Sequence, residues 1–206
     1  MKNIISTIIA IVLLFNLGYK VSGSMVIANH KDNNVEPFMD FYERFISAFN
    51  EKNITELNKC INSEYGLFVL DNPGAFSVAS HFNSFSDIMG IDGESDIGNL
   101  KALKVNCKLQ EGKPPIYDCE LDKWNKQGCF LDKNSSLSIS EYYKIMLEYN
   151  LADINSIKTE MALSEKSGPY ISHQVYSTKG DIGFYFGIID NNWCLICINK
   201  ITPCSA

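Results

Sequence analysis

The stretch "VEPFMDFYERFISAFN" at 35–50 constrains the fold more than any other part of the chain. Phe38, Phe41, Tyr42, Phe45, Ile46 and Phe49 recur at the 3-1-3-1-3 spacing of one helical face. Asp40, Glu43, Arg44 and Ser47 occupy the opposite face, and Pro37 suits a first turn, where its missing N–H costs nothing. A helix carrying such a run of rings on one side must bury that side, so the rest of the chain has to supply an apolar surface. The aromatic face is read as core rather than as a ligand site.

The segments that follow supply helix, strand and turn signals. Asn53 caps a second helix over 54–61, with Glu56 completing an approximate capping box and Ile54, Leu57 and Ile61 facing inward. "GLFVL" at 66–70 reads as a buried strand, and Asp71-Asn72-Pro73-Gly74 reads as a turn. Over 77–100 the pattern is weak: "FNSFSDIM" has helical character and "GIDGESDIGN" is an acidic loop. "LKVNCKL" at 103–109 and "IYDCEL" at 116–121 read as paired strands, with a short strand at 128–131. Ser138 and Glu141 form a capping box for a helix over 139–149, on which Ile139, Tyr142, Tyr143 and Met146 are the apolar positions. The remainder reads as four strands at 156–163, 171–178, 182–190 and 193–201, with Asn191-Asn192 as a two-residue hairpin turn. "IGFYFGIID" is apolar on both faces, as a doubly covered strand requires. Two amphipathic helices, a strand, a third helix and then mostly antiparallel strands indicate an α+β fold.

The N-terminus carries an address. Lys2 precedes the apolar run at 4–19, and "VSG" at 21–23 offers small residues for signal peptidase, so residues 1–23 read as a signal peptide. Sixteen apolar-rich residues containing Asn16 are short for a membrane span, which takes about 20. Residues 24–34, including His30, read as a disordered polar lead-in, and 35–206 as one domain. Cleavage removes Lys2 and Lys20 and takes the net charge from −6 to −8. That balance argues against a nucleic-acid partner, whose phosphates need a basic stripe. The expected location is extracytoplasmic, secreted or periplasmic, with no span after cleavage. Asn53-Ile54-Thr55 and Asn134-Ser135-Ser136 match a glycosylation sequon, which carries sugar only in a eukaryotic secretory pathway.

All seven cysteines, at 60, 107, 119, 129, 194, 197 and 204, follow the signal. An oxidising compartment permits disulfides, and the odd count leaves at least one thiol free or paired to another chain. Symmetric pairing across the turn at Lys113 sets Cys107 opposite Cys119; the rival pair is Cys119 with Cys129. Trp193-Cys194-Leu195-Ile196-Cys197 matches a thioredoxin-like redox motif. On an extended strand, however, positions three apart face opposite sides about 10 Å apart, beyond the about 7 Å limit for bridged Cα atoms. A reactive Cys-x-x-Cys sits instead at a helix N-terminus. Strict alternation groups Cys194 with Ile196 and Ile198, and Cys197 with Trp193 and Leu195, so the match is read as accidental.

No zinc helix, nucleophile elbow or phosphate-binding glycine loop occurs. Asp92, Glu94 and Asp96 have the spacing that opens a calcium loop, but no Gly follows at the sixth position and no Glu at the twelfth. No cofactor or metal is expected. His173 shares a face with Ile171 and Val175 by alternation, which makes it either a satisfied core residue or a polar group in a pocket, with a pKa suited to general-base work.

Taken together, "PFMDFYERFISAFNEKNITELNKCI", "GLFVL" and the closing hairpin "FGIIDNNWCLICI" resemble the nuclear transport factor two-like superfamily, also called ketosteroid-isomerase-like. The resemblance implies a curved antiparallel sheet wrapped around the N-terminal helix as a cone with an apolar cavity. The helix at 139–149 departs from it, as an insertion between strands that the family joins directly. That superfamily hosts enzymes and binding domains alike. The expected function is a non-catalytic binding module for an apolar small molecule or a protein partner, with Tyr42 and His173 at the pocket. The alternative is a small lyase, isomerase or hydrolase using the same two residues.

Overall fold

A computed structural model describes residues 35–90 and 98–204. The signal peptide read at 1–23, the lead-in at 24–34 and the acidic loop with Asp92, Glu94 and Asp96 lie outside the described residues.

The aromatic stripe forms helix α1, Phe38–Glu51, and buries Phe38, Phe41, Tyr42, Phe45, Ala48 and Phe49. It ends at Lys52, in the left-handed region at φ 58°. The Lys52 ammonium donates to the carbonyls of Leu100 and Leu103 at 3.1 and 2.6 Å, which fastens the 98–103 segment to the helix end. Asn53 caps α2, Ile54–Asn58, by accepting from the Glu56 N–H at 3.2 Å. Strands β1, Leu67–Asp71, and β2, Val78–Phe82, pair antiparallel. A reciprocal Ser84–Asp87 capping box then starts α3, Phe85–Met89.

Short strands β3, Leu109–Glu111, and β6, Cys129–Asp132, run parallel, while β4, Tyr117–Asp118, pairs with β5, Lys123–Trp124, as a separate hairpin. Helices α4, Ile139–Glu148, and α5, Ile154–Ser167, precede β7, Ile171–Ser177, β8, Ile182–Ile189, and β9, Asn192–Asn199. Seven strands join one sheet in the order β2-β1-β9-β8-β7-β6-β3. The fold is α+β as expected, but the sheet is mixed rather than antiparallel, because β1 lies parallel to β9 and β3 to β6.

Both faces of the sheet are covered, which is why β1 is buried at every position. Leu67, Val69, Phe184, Phe186, Leu195 and Ile198 face the core shared with α1 and α2. Phe68, Leu70, Tyr185 and Ile196 face a second core with Ile139, Tyr143 and Ile157 of α4 and α5. The α4–α5 pair thus roofs the sheet face opposite α1.

Several sequence expectations are corrected. The segment 156–163 is helix, not strand. Its Lys, Glu, Met and Ala are helix formers, Asp153 caps it by accepting from the Asn155 N–H at 2.8 Å, and Ile157, Ser164 and Ser167 are its buried positions, seven and then three residues apart on one face. Residues 103–109 and 116–121 do not pair, since β3 finds β6 and Tyr117–Asp118 folds back on Lys123–Trp124. With that hairpin gone, the expected Cys107–Cys119 bridge is replaced by Cys107–Cys129 and Cys119–Cys204, with Cα separations of 5.6 and 5.8 Å. The rival Cys119–Cys129 pair is absent because the parallel β3–β6 pairing gives Cys129 to Cys107. The β8–β9 turn falls one residue earlier than expected, at Asp190-Asn191, both with positive φ.

Candidate ligand-binding cleft

The N-terminal turn of α1 sets Phe38 against the ends of β7 and β9. Its ring lies 4.7 Å from the His173 ring, 4.9 Å from Trp193, 5.5 Å from Phe186 and 6.0 Å from Tyr42, centroid to centroid. Trp193 also donates its indole N–H to the Glu36 carbonyl at 3.0 Å, so the chain entering α1 is held from the sheet side. Offset and edge-to-face contacts of this kind add to the burial of the rings themselves.

His173 reaches this cluster because of a bulge. The β7–β8 register shifts between Ile171 and His173, leaving Ser172 extra. As a result Ile171 faces the α4–α5 core while Val175 faces the α1 core, and His173 packs on Phe38 and Trp193 of the latter. The expected common face of Ile171 and His173 is therefore corrected. The His173 ring is half-buried, its Nδ1 3.0 Å from the Ser172 hydroxyl. Burial, helped by the Lys133 ammonium, lowers its pKa, with Asp132 opposing. Tyr42 is 5% exposed, and burial pushes its phenol well above the ordinary value. The structure brings the two sequence-derived site residues together, both against Phe38.

Phe38 also lines a cleft of about 330 Å³, walled with it by Pro37, Met39, Leu109 and Leu131, with Glu111 and Lys133 on its rim. Neither Tyr42 nor His173 lines it. The Lys133 ammonium donates to the Glu111 carboxylate at 2.7 Å, and both side chains are largely exposed. The floor is well anchored: Leu131 is 3% exposed, and the Cys107–Cys129 bridge ties the approach to β3 onto β6 beside it. Such a cleft accepts an apolar body and presents one charge of each sign to a polar head. It contains no hydroxyl or thiol nucleophile next to a base.

Sequence reasoning missed Met39, Leu109, Leu131, Glu111 and Lys133. Met39 sits on the polar side of α1, 41% exposed, and an exposed large apolar residue there was the one local signal. The other four meet only because β3 and β6 pair in parallel across a loop, which no periodicity reveals.

A second bulge decides the Trp-Cys-x-x-Cys question. Tyr185 pairs with Cys197 but Phe186 pairs with Leu195, so Ile196 is extra in β9. Cys194, Ile196 and Cys197 consequently all face the α4–α5 core, correcting the strict alternation expected for Cys197. Both thiols are free and buried. Burial pushes Cys194 up to about 11 and Cys197 well above the ordinary thiol value. A redox dithiol needs the opposite shift.

Among the described residues no group of three or more His, Cys, Asp or Glu side chains is placed to hold a metal ion, and no helix is long and apolar enough to cross a membrane. No protein-family model matches the chain, and no solved structure matches it. Among curated proteins it is similar to an N-acetyldiaminopimelate deacetylase of Lactiplantibacillus plantarum, 30% identical over 119 residues. The match covers 52% of this chain and only 29% of the deacetylase's length.

Proposed function

We propose that this chain is an exported, non-catalytic binding module that holds an apolar or amphipathic small molecule in the cleft between α1 and the β3–β6 edge. The observation that carries the reading is an apolar cleft of about 330 Å³ with a single ion pair at its rim. The two disulfides favour an oxidising compartment, in keeping with the signal peptide read at 1–23. The reading keeps the resemblance to the nuclear transport factor two-like superfamily as a proposal: α1 packs its aromatic face on one side of the sheet, while the parallel β1–β9 and β3–β6 pairs depart from the antiparallel cone. The α4–α5 pair, lying on the opposite side, leaves the α1 packing undisturbed. Tyr42 and His173 act here as packing behind Phe38, not as ligand contacts. The named activity of the partial relative asks for a hydrolytic centre, and the cleft offers no paired nucleophile and base to build one.

Dodecanoate and dodecanol are suitable probes, because Trp193 meets Phe38 edge to face and reports the cleft by its fluorescence. Both should bind; Leu131→Asp should abolish binding, and Lys133→Glu should weaken the acid more than the alcohol. His173→Leu should leave both affinities unchanged. Binding that survives Leu131→Asp, or failure of both probes, would overturn the placement. Turnover of an ester or steroid probe that is lost in His173→Leu would replace it with the enzyme reading.

A further inference from the structure

A cavity of about 380 Å³ lies on the α4–α5 side of the sheet, between the chain leading into α4 and the C-terminal end of α5. That volume falls in the range of small-molecule sites, about 300–1,000 Å³. Four serines line it: Ser136, Ser138 and Ser140 from the approach to α4 and its first turn, and Ser164 from α5. Ser140 is 9% exposed and Ser164 1%, so two of the four belong to a buried wall. The fold itself uses little of their hydrogen-bonding capacity. Ser138 starts α4 without a capping hydrogen bond, and its oxygen stands 3.5 Å from that of Ser140, at the limit for such a contact. Ser164 donates to the Met161 carbonyl at 2.7 Å, which leaves the lone pairs of its oxygen to accept. Ser167, three residues further along the same buried face, is fully buried and has no hydrogen-bond partner among the described residues. The two walls meet at Gly168, where an added Cβ would stand 3.5 Å from the Leu137 carbonyl oxygen.

We infer that this cavity binds a neutral hexopyranose. Charge excludes the first alternative, an oxyanion: no Lys, Arg or His lines the cavity, and Glu165 does. The α4 N-terminus attracts negative charge, but a carboxylate on the same cavity wall opposes it. A pyranose ring matches both parts of the lining. Its hydroxyls each donate and accept, which suits serine oxygens, and the Glu165 carboxylate accepts from two neighbouring hydroxyls. Its C–H faces suit Leu137, Ile139, Pro169 and Ile171, the apolar part of the wall. Ile139 and Ile171 are held in the α4–α5 core, so that part of the site is preformed. A purely apolar guest would leave the serines without partners at a cost in free energy, whereas a sugar satisfies them. The site lies on the sheet face opposite α1 and stands whatever the apolar cleft holds.

Saturation-transfer NMR on the disulfide-intact protein with D-glucose, D-galactose and D-mannose tests this. At least one of the three should bind saturably, with a dissociation constant on the order of 1 mM, as befits an open site. Glu165→Ala should weaken that binding by about tenfold or more, the effect of losing a hydrogen bond to a charged group. Ser138→Ala should weaken it less, and Ser136→Trp should abolish it by filling the cavity. All three side chains are exposed, so an unchanged melting temperature is expected of each variant. Lys133→Glu, at the apolar cleft, should leave sugar binding as it is, and inorganic phosphate should not compete. Failure of all three sugars to bind overturns the proposal. So does binding that survives Glu165→Ala and Ser136→Trp, binding that is lost in Lys133→Glu, or displacement of the sugar by phosphate.

Discussion

At the residue scale, burial and missing partners decide what individual groups can do. The lowered pKa of His173 makes the folded state a poorer proton acceptor there than the unfolded chain. Below the ordinary histidine pKa of about 6.5 the unfolded state takes up a proton that the folded state resists. This contribution is therefore absent above that pH and destabilises progressively as the pH falls through it. His173→Leu should flatten the acid limb of a melting-temperature profile between about pH 7 and 5. An unchanged limb would mean that the ring is protonated in place. Tyr143, 1% exposed on the buried face of α4, raises a separate point. Its hydroxyl is buried near Glu160 and has no hydrogen-bond partner among the described residues. Removing an unsatisfied buried hydroxyl avoids a cost of about 1–3 kcal/mol, so Tyr143→Phe should raise the melting temperature. A fall would reveal a bound water that the phenol needs.

Elements hold together here through faces, and α1 is the clearest case. Phe45 is fully buried, with ring centroids 5.1 Å from Phe184 and 5.3 Å from Phe186. Phe45→Asp loses that packing and buries an unpaired carboxylate, a combination comparable to the whole stability of a domain, about 5–15 kcal/mol. The variant should fail to fold, as judged by circular dichroism and by sedimentation of the expressed protein. A soluble variant with unchanged melting temperature would show that this face is not core. On β8 the tight position is Gly187, where an added Cβ would stand 2.1 Å from the Tyr170 carbonyl oxygen. The short-helix turn Gly168–Tyr170 therefore packs directly onto the strand backbone, which locks the end of α5 to the sheet. The two bulges, at Ser172 and Ile196, matter for the same reason. One extra residue exchanges the faces on either side of it, so His173 and Cys197 lie where strict alternation does not put them.

At the scale of the whole molecule, long-range closures join the early chain to the late chain. The parallel β1–β9 pairing docks the first hairpin onto the C-terminal meander, and the Lys200 N–H donates to the Leu70 carbonyl at 2.8 Å beside it. Cys119–Cys204 bridges a sequence separation of 85 and anchors the C-terminal segment to the β4–β5 hairpin. In the chain-entropy account a loop of that size contributes between about 4 and 5 kcal/mol, and the Cys107–Cys129 loop about 3 to 4. Cys204→Ser should therefore lower the denaturant midpoint at least as much as Cys107→Ser does, unless the C-terminal segment frays without unfolding the sheet. A non-reduced peptide map should link Cys107 with Cys129 and Cys119 with Cys204. Any linkage of Cys107 to Cys119 would contradict the parallel β3–β6 pairing.

Local chemistry was enough to determine α1, the Asn53 cap of α2, the position of α4, the buried strand "GLFVL", the closing β8–β9 hairpin and the α+β class, although Ser138 starts α4 without the capping hydrogen bond expected of it. Each rests on spacing or capping within a dozen residues, and burial then reinforced the same choice. The 154–167 helix was legible in principle from its helix formers and its Asp153 cap, but its few apolar positions also suit a strand. Only the tertiary structure decided the mixed sheet, the disulfide partners, the bulged faces and the cleft. Leu109 meets Leu131 and Cys107 meets Cys129 through pairings between distant segments. Their geometry is set by where whole elements dock, and no periodic pattern in the intervening chain encodes it.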